Sequence, residues 1–149
     1  MKATRMLPPV YLIASIVITA LIHFLLPVME FAPYPWNLIG IVPLGLGVVF
    51  NLMADAAFKR VQTTVKPFEI SSALVTNGIF RISRNPMYLG MLLLLLGIAI
   101  LLGSLAPLLI VIIFGVLMEL VFVRTEQKML EEKFGSEWTD YRTKVRKWL

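Results

Sequence analysis

Long apolar runs separated by short polar segments dominate the chain and predict membrane-spanning helices. Two runs cover about residues 9–29 and 36–58, and a longer stretch covers residues 87–123. A single crossing of a hydrocarbon core about 30 Å thick needs only about 20 helical residues. The segment GSLAP (103–107) divides the long stretch, because Gly favours the end of a helix and Pro the start of one. We therefore predict a tight helical hairpin with short spans at 87–103 and 107–123.

Two polar segments outside these runs are long enough to carry function. The middle loop (59–86) contains apolar residues and an Asn77–Gly78 turn signal, which predicts a folded segment. The tail (124–149) begins with an amphipathic helical pattern that stops at Gly135, and a second short helix follows. In that helix Trp138 and Tyr141 repeat at helical spacing, which is typical of a helix at the membrane interface. We predict an all-α integral membrane protein with four transmembrane helices, a cytoplasmic middle loop and a helical tail, forming a single domain over residues 1–149.

The basic residues lie on one side of this arrangement. All 14 flank the spans at the N-terminus, in the middle loop or in the tail, and the segments EFAPYP (30–35) and GSLAP contain none. The positive-inside rule then predicts that both termini and the middle loop are cytoplasmic. The net charge of +5 therefore follows from membrane orientation and requires no nucleic-acid partner. The basic start resembles a signal peptide, but its long apolar run and missing cleavage site indicate a retained helix.

Composition excludes several kinds of chemistry. The chain has no cysteine, so it has no disulfide, thiolate zinc site or cysteine nucleophile. A single histidine, His23, cannot form a metal site alone, and we interpret it as a hydrogen-bonded packing residue.

The segment RISRNPMYLG (81–90) has more hydrogen-bonding groups than a membrane anchor requires. A helix start explains part of it: Pro86 occupies the first turn, Asn85 caps, and Arg81 and Arg84 anchor in the headgroups. This interpretation leaves Tyr88, just inside the helix, without a role.

The end of the last apolar run carries two carboxylates on one helical face, since Glu119 and Glu126 are seven residues apart. An ionised Glu near the centre of a bilayer costs about 2.5–3.5 kcal/mol, so Glu119 is a candidate functional residue. Pairing of Glu119 with Arg124, or a solvated helix with pairs such as Lys128–Glu132, is the simpler interpretation. Asp55 can likewise pair with Lys59.

Together these motifs resemble a known family. The pattern LVTNGIFRISRNPMYLG (74–90), then a helical hairpin, then RTEQKMLEEKFGSEWTDY (124–141) is similar to the isoprenylcysteine carboxyl methyltransferase and phospholipid methyltransferase families. The resemblance covers about residues 63–149. In those families the first motif usually reads Arg-His-Pro-x-Tyr-x-Gly, and a Glu-Glu pair opens the second. Here Asn85 stands in place of the His and Gln127 in place of the second Glu.

The resemblance implies S-adenosylmethionine as the cofactor, bound between the last two spans and the tail. A lipophilic acceptor, either a carboxylate or an amine, would enter from the bilayer. Arg124 would orient a carboxylate, whereas Glu119 or Glu126 would accept a proton from an amine. The identity of the acceptor and the oligomeric state stay open. The implied cofactor-binding residues are Arg81, Arg84, Asn85, Pro86, Tyr88, Gly90, Glu126 and Gln127.

Two other classes remain as alternatives. Membrane reductases that bind a nicotinamide cofactor resemble the tail region, although they usually have many more spans. A four-helix transporter would require an acidic residue within the first span, where this chain has only His23. A non-catalytic membrane scaffold is the remaining interpretation.

Overall fold

The computed structural model describes residues 7–26, 29–64, 66–69 and 71–149, and the regular elements within them are helical. Lys2 and Arg5, on which the predicted orientation partly rests, and residues 27 and 28 of the first predicted span lie outside the described residues. A 3₁₀ turn at Trp36–Gly40 precedes the second helix, and another, at Gly78–Arg81, lies in the middle loop. The helices are α1 (Pro8–Leu25), α2 (Ile41–Arg60), α3 (Pro86–Leu102), α4 (Ala106–Met118), α5 (Arg124–Phe134) and α6 (Ser136–Lys144).

Three described helical segments are long and apolar enough to cross a membrane: Pro8–Leu25, Trp36–Arg60 and Ala106–Phe134. The fourth apolar helix, α3, has 17 residues. Large apolar side chains on the three long segments are exposed, among them Ile13, Leu52 and Ile112. Such surfaces suit contact with lipid and confirm the prediction of an all-helical membrane protein. The crossing of the shorter α3 stays a prediction.

The helical hairpin lies where GSLAP predicts it. Gly103 ends α3 with a φ of +75°, a left-handed conformation that glycine adopts without steric cost. Its amide donates to the carbonyls of Ala99 and Ile100, and Pro107 is in the first turn of α4. Next to this turn, Ser104 forms a hydrogen bond with His23 of α1, which agrees with a packing role for that histidine.

Glycines bring α2 and α3 into close contact. A methyl group at Gly47 would lie 2.6 Å from the carbonyl oxygen of Gly90, and one at Gly40 would lie 2.6 Å from that of Gly97. Small residues at matching positions allow such close approach of membrane helices. Gly90 makes room for α2 and its Asn51 side chain, and its role in cofactor binding stays a prediction.

The fourth helix does not stop where the tail was predicted to begin. A π-helical turn, Glu119–Val123, joins α4 to α5, and Ala106–Phe134 is one continuous helix of 29 residues. The expected boundary at residue 124 is thus a change in side-chain polarity, with no break in the backbone. π-helical turns inside α-helices are frequent at functional sites.

The tail packs on the middle loop through a group of buried residues that we call the tail cluster. Trp138 and Tyr141 are 2% and 7% exposed, so the interpretation of α6 as a membrane-interface helix is wrong for both. The Tyr141 hydroxyl donates to the carbonyl of Phe80 at 2.6 Å, and burial raises the pKa of Tyr141. The cluster consists of Ala54, Val75, Ile79, Phe80, Trp138 and Tyr141.

Candidate functional site

The two polar motifs meet through one short hydrogen bond. The Tyr88 hydroxyl, in the first turn of α3, donates to Oε1 of Glu126 on α5 at 2.6 Å. The Tyr88 ring lies nearly parallel to that of Phe122, with their centroids 6.0 Å apart. The bond is long-range in sequence, and it forms because the continuous fourth helix carries Glu126 back to the start of α3.

A cavity lined by both polar and apolar residues, which we call the tail pocket, lies between the middle loop, α5 and α6. Glu126, Gln127 and Trp138 line it from the tail, and Phe80 and Arg84 line it from the loop side. Its volume is about 100 Å³.

The tail pocket contains buried donors that have no acceptor within the described part of the chain. These are Nε and Nη1 of Arg84, Nε2 of Gln127 and Nε1 of Trp138. The Arg84 guanidinium lies 5.5 Å from the centre of the Trp138 ring. Burial, together with the nearby charge of Arg142, lowers the pKa of Arg84 from its ordinary value. Buried donors without partners are costly, so this arrangement suits an anionic ligand group.

A second, mostly apolar cavity adjoins the first, and we call it the helix pocket. It lies between the starts of α1 and α3 and the end of α2, and it has a volume of about 280 Å³. Tyr88 and Met91 form part of its wall, and Asp55 adds a carboxylate that is paired with Lys59 at 2.6 Å, as expected. The residues that line both cavities are Phe58, Lys66, Phe80, Arg84, Asn85 and Glu126.

Asn85 and Pro86 stand at the start of α3 as predicted, but Asn85 does not cap the helix with its side chain. Its side-chain amide donates instead to the carbonyl of Lys147 at 2.9 Å. Asn85 is 7% exposed, so this bond fixes a buried side chain at the wall shared by the two cavities.

Four candidate residues lie away from these cavities, and one of them is Gly90, at the contact with α2. Arg81 is exposed and borders a different groove, next to Asp140 and Lys144. Arg124 is exposed too, and its Nε lies 3.4 Å from Oε1 of Glu119. The pairing of Arg124 with Glu119 agrees with the simpler interpretation of both residues.

Several residues that line the two cavities escaped the sequence-based assignment, among them Trp138 and Phe80. Trp138 was interpreted as an interfacial residue, and Phe80 was part of the first motif but was given no role of its own. The spacing Phe-Gly-x-x-Trp-x-x-Tyr in the tail motif was the available signal for Trp138. No comparable signal pointed to Phe80.

Fold and cavities together define an all-helical membrane protein with two adjoining cavities at one end of a helical bundle. The family model described as phospholipid methyltransferase matches residues 36–137, more than half of the chain. The chain therefore belongs to the phospholipid methyltransferase family. An uncharacterized protein of Haemophilus influenzae is 43% identical over 63 residues, which make up 42% of this chain and 100% of that protein. No solved structure matches significantly.

Proposed function

We propose that this protein is an S-adenosylmethionine-dependent methyltransferase whose acceptor is a lipophilic molecule in the membrane. The observation that carries the proposal is the set of unpartnered buried donors in the tail pocket, next to the carboxylate of Glu126. S-adenosylmethionine has a carboxylate and an ammonium group on one amino-acid moiety, so it needs donors and an acceptor close together. The family match favours this function over a nicotinamide-dependent reductase or a transporter.

The residues of the tail pocket fit the cofactor in chemical type. Arg84 and Gln127 offer N–H groups to a carboxylate, and Glu126 offers an acceptor to the ammonium or to a ribose hydroxyl. Phe80 and Trp138 provide aromatic surface. When bound, S-adenosylmethionine supplies a methyl group on a positively charged sulfur.

The size of the tail pocket adds a requirement. Sites for drug-sized ligands usually measure about 300–1,000 Å³. A cavity of about 100 Å³ takes only part of such a ligand. Cofactor binding therefore requires that the pocket walls move apart or that the ligand extends into the helix pocket.

The helix pocket is the proposed acceptor site, and an amine acceptor is proposed because Glu126 on its wall can take up a proton. The wall carries charges of both signs, the carboxylates of Glu126 and Asp55 and the cations of Lys66 and Arg84, so its charge alone does not select the acceptor. Arg124, the residue expected to orient a carboxylate, lies outside the pocket and contacts Glu119. Glu126 borders both cavities, so it is placed to hold a proton that leaves an amine. Tyr88 fixes the orientation of Glu126 through its hydroxyl.

The proposed orientation puts both termini, the middle loop and the two cavities on the cytoplasmic side. It rests on the distribution of basic residues. A soluble cofactor would then enter from the cytosol, and a lipid acceptor from the surrounding bilayer.

The test is ligand binding by the purified protein in lipid nanodiscs. Calorimetry should detect S-adenosylmethionine and its demethylated product, S-adenosylhomocysteine. Incubation with lipid extract and isotope-labelled cofactor should give a labelled lipid that mass spectrometry identifies. Folded protein that binds neither compound at millimolar concentration would refute the proposal.

A further inference from the structure

The last five residues of the chain, 145–149, pass the start of α3 after α6 ends, and we call them the C-terminal strap. Two strap carbonyls accept hydrogen bonds from the segment just before α3. The amide of Arg84 donates to the carbonyl of Arg146 at 3.0 Å. The side chains of Ser83 and Asn85 both donate to the carbonyl of Lys147, at 3.3 and 2.9 Å.

These bonds hold the part of the chain from which the Arg84 side chain projects. Ser83 is fully buried and Asn85 nearly so. The Ser83 hydroxyl also accepts the amide of Asn85 at 3.1 Å, which closes a small network on both sides of Arg84. A shift of the strap would thus move the backbone that carries Arg84, and with it the unpartnered donors of the tail pocket.

The strap is also attached to the π-helical turn, through the side chain of Lys147. Nζ of Lys147 donates to Oε1 of Glu119 at 2.8 Å, and the Glu119 side chain is only 19% exposed. Trp148, the next residue, packs against the buried cluster formed by α3, α4 and the π-helical turn. The Lys147 side chain thus connects the strap to the fourth helix, while its backbone holds Asn85.

We propose that Lys147 and Glu119 are positioning residues: their ion pair holds the C-terminal strap, which sets the place of Arg84 in the cofactor site. This inference rests on the proposed function. It gives Glu119 a role different from that of a catalytic acceptor, since this carboxylate acts through Lys147 and lies outside both cavities.

The test compares Lys147→Met, Glu119→Gln and the double variant with Lys147→Arg, which keeps a cation in place. Lys144→Met is the matched control, because Lys144 is an exposed lysine at the end of α6. The measurements are the dissociation constant for S-adenosylhomocysteine, kcat at saturating cofactor, and hydrogen exchange of the peptide that contains residues 83–85.

We expect Lys147→Met to weaken cofactor binding about two- to a hundred-fold, the range of coupling between groups in direct contact. Exchange at 83–85 should rise, while kcat at saturation changes little. Glu119→Gln should do the same, and the double variant should lose no more than either single variant. Lys147→Arg should restore most of the affinity, and Lys144→Met should bind as the wild type does.

The outcomes separate this proposal from the proposed function. Wild-type protein that binds neither S-adenosylmethionine nor S-adenosylhomocysteine would overturn both. Wild-type binding with unchanged affinity in Lys147→Met and Glu119→Gln would overturn the positioning role alone. Another outcome is that the variants yield less folded protein while the folded fraction keeps the wild-type dissociation constant. That result would show that the ion pair serves folding alone, and it would also contradict the proposal.

Discussion

Replacing Glu126 by Gln tests the centre of the candidate site, because it removes a charge while keeping the shape. The amide oxygen of Gln can still accept a hydrogen bond from the Tyr88 hydroxyl, so it can replace the bond of 2.6 Å that Glu126 forms between α5 and α3. Stability should therefore change little. Cofactor affinity should fall, since a hydrogen bond to a charged group contributes about 1.5–3 kcal/mol, or roughly ten- to a hundred-fold in dissociation constant.

Tyr88→Phe is the complementary change, and it should affect stability more than Glu126→Gln does. It keeps the ring against Phe122 but leaves the Glu126 carboxylate without its partner. An unsatisfied buried polar group costs about 1–3 kcal/mol, which in a chain of this size corresponds to roughly 2–12 °C in melting temperature. The assays are thermal unfolding in nanodiscs and calorimetry with S-adenosylhomocysteine.

Glu132→Gln serves as the control for these variants. Glu132 lies on the same helix and is exposed, and its ion pair with Lys128 at 3.8 Å should contribute little. The reasoning is refuted if Glu126→Gln binds S-adenosylhomocysteine with the affinity of the wild type and of Glu132→Gln. In that case the carboxylate would serve the packing of the helices and no ligand.

Three further predictions concern orientation and packing. Because the chain has no cysteine, Tyr34→Cys, at an exposed site, should react with an impermeant label in intact cells. Ser136→Cys should react only after permeabilisation, and its labelling in intact cells would reverse the proposed orientation. Gly47→Ala should destabilise the protein by about 1–3 kcal/mol in thermal unfolding, since a methyl group there meets the backbone of α3 at 2.6 Å. Gly45→Ala, with open space around it, is the control and should be neutral or stabilising; equal effects would contradict a glycine-mediated contact. Tyr141→Phe should lower stability by about 1–3 kcal/mol by leaving a buried carbonyl unpartnered, and an unchanged melting curve would argue against that bond.

The sequence predicted those features that depend on local patterns. Apolar runs predicted where the helices lie, and the Gly and Pro of GSLAP predicted the hairpin turn. Both signals act on the backbone within a few residues of their own position. The pairing of Asp55 with Lys59 is local in the same way. The meeting of the two motifs was predicted by resemblance, and the bond from Tyr88 to Glu126 is consistent with it.

The missed features depend on which helices become neighbours. A Trp at helical spacing in a basic tail gives the same sequence pattern whether it faces lipid or protein. Periodicity therefore could not predict that Trp138 is buried. Gly90 lies beside polar motif residues, and its neighbours in sequence do not show that α2 packs against it. The continuity of α4 and α5 was hidden because a drop in hydropathy at Arg124 looks the same with or without a break in the helix.

The two departures from the family motifs fit what their surroundings require. At position 85 the fold needs one buried N–H to bind the Lys147 carbonyl, and either Asn or His can donate one. The Asn thus supplies a positioning contact at the start of α3. At position 127 a Gln adds an unpartnered donor to the pocket where a Glu would add only an acceptor. That substitution changes what the pocket offers a ligand. The acceptors in the C-terminal strap are backbone carbonyls, which any residue type supplies, so no residue identity in the tail could have predicted them.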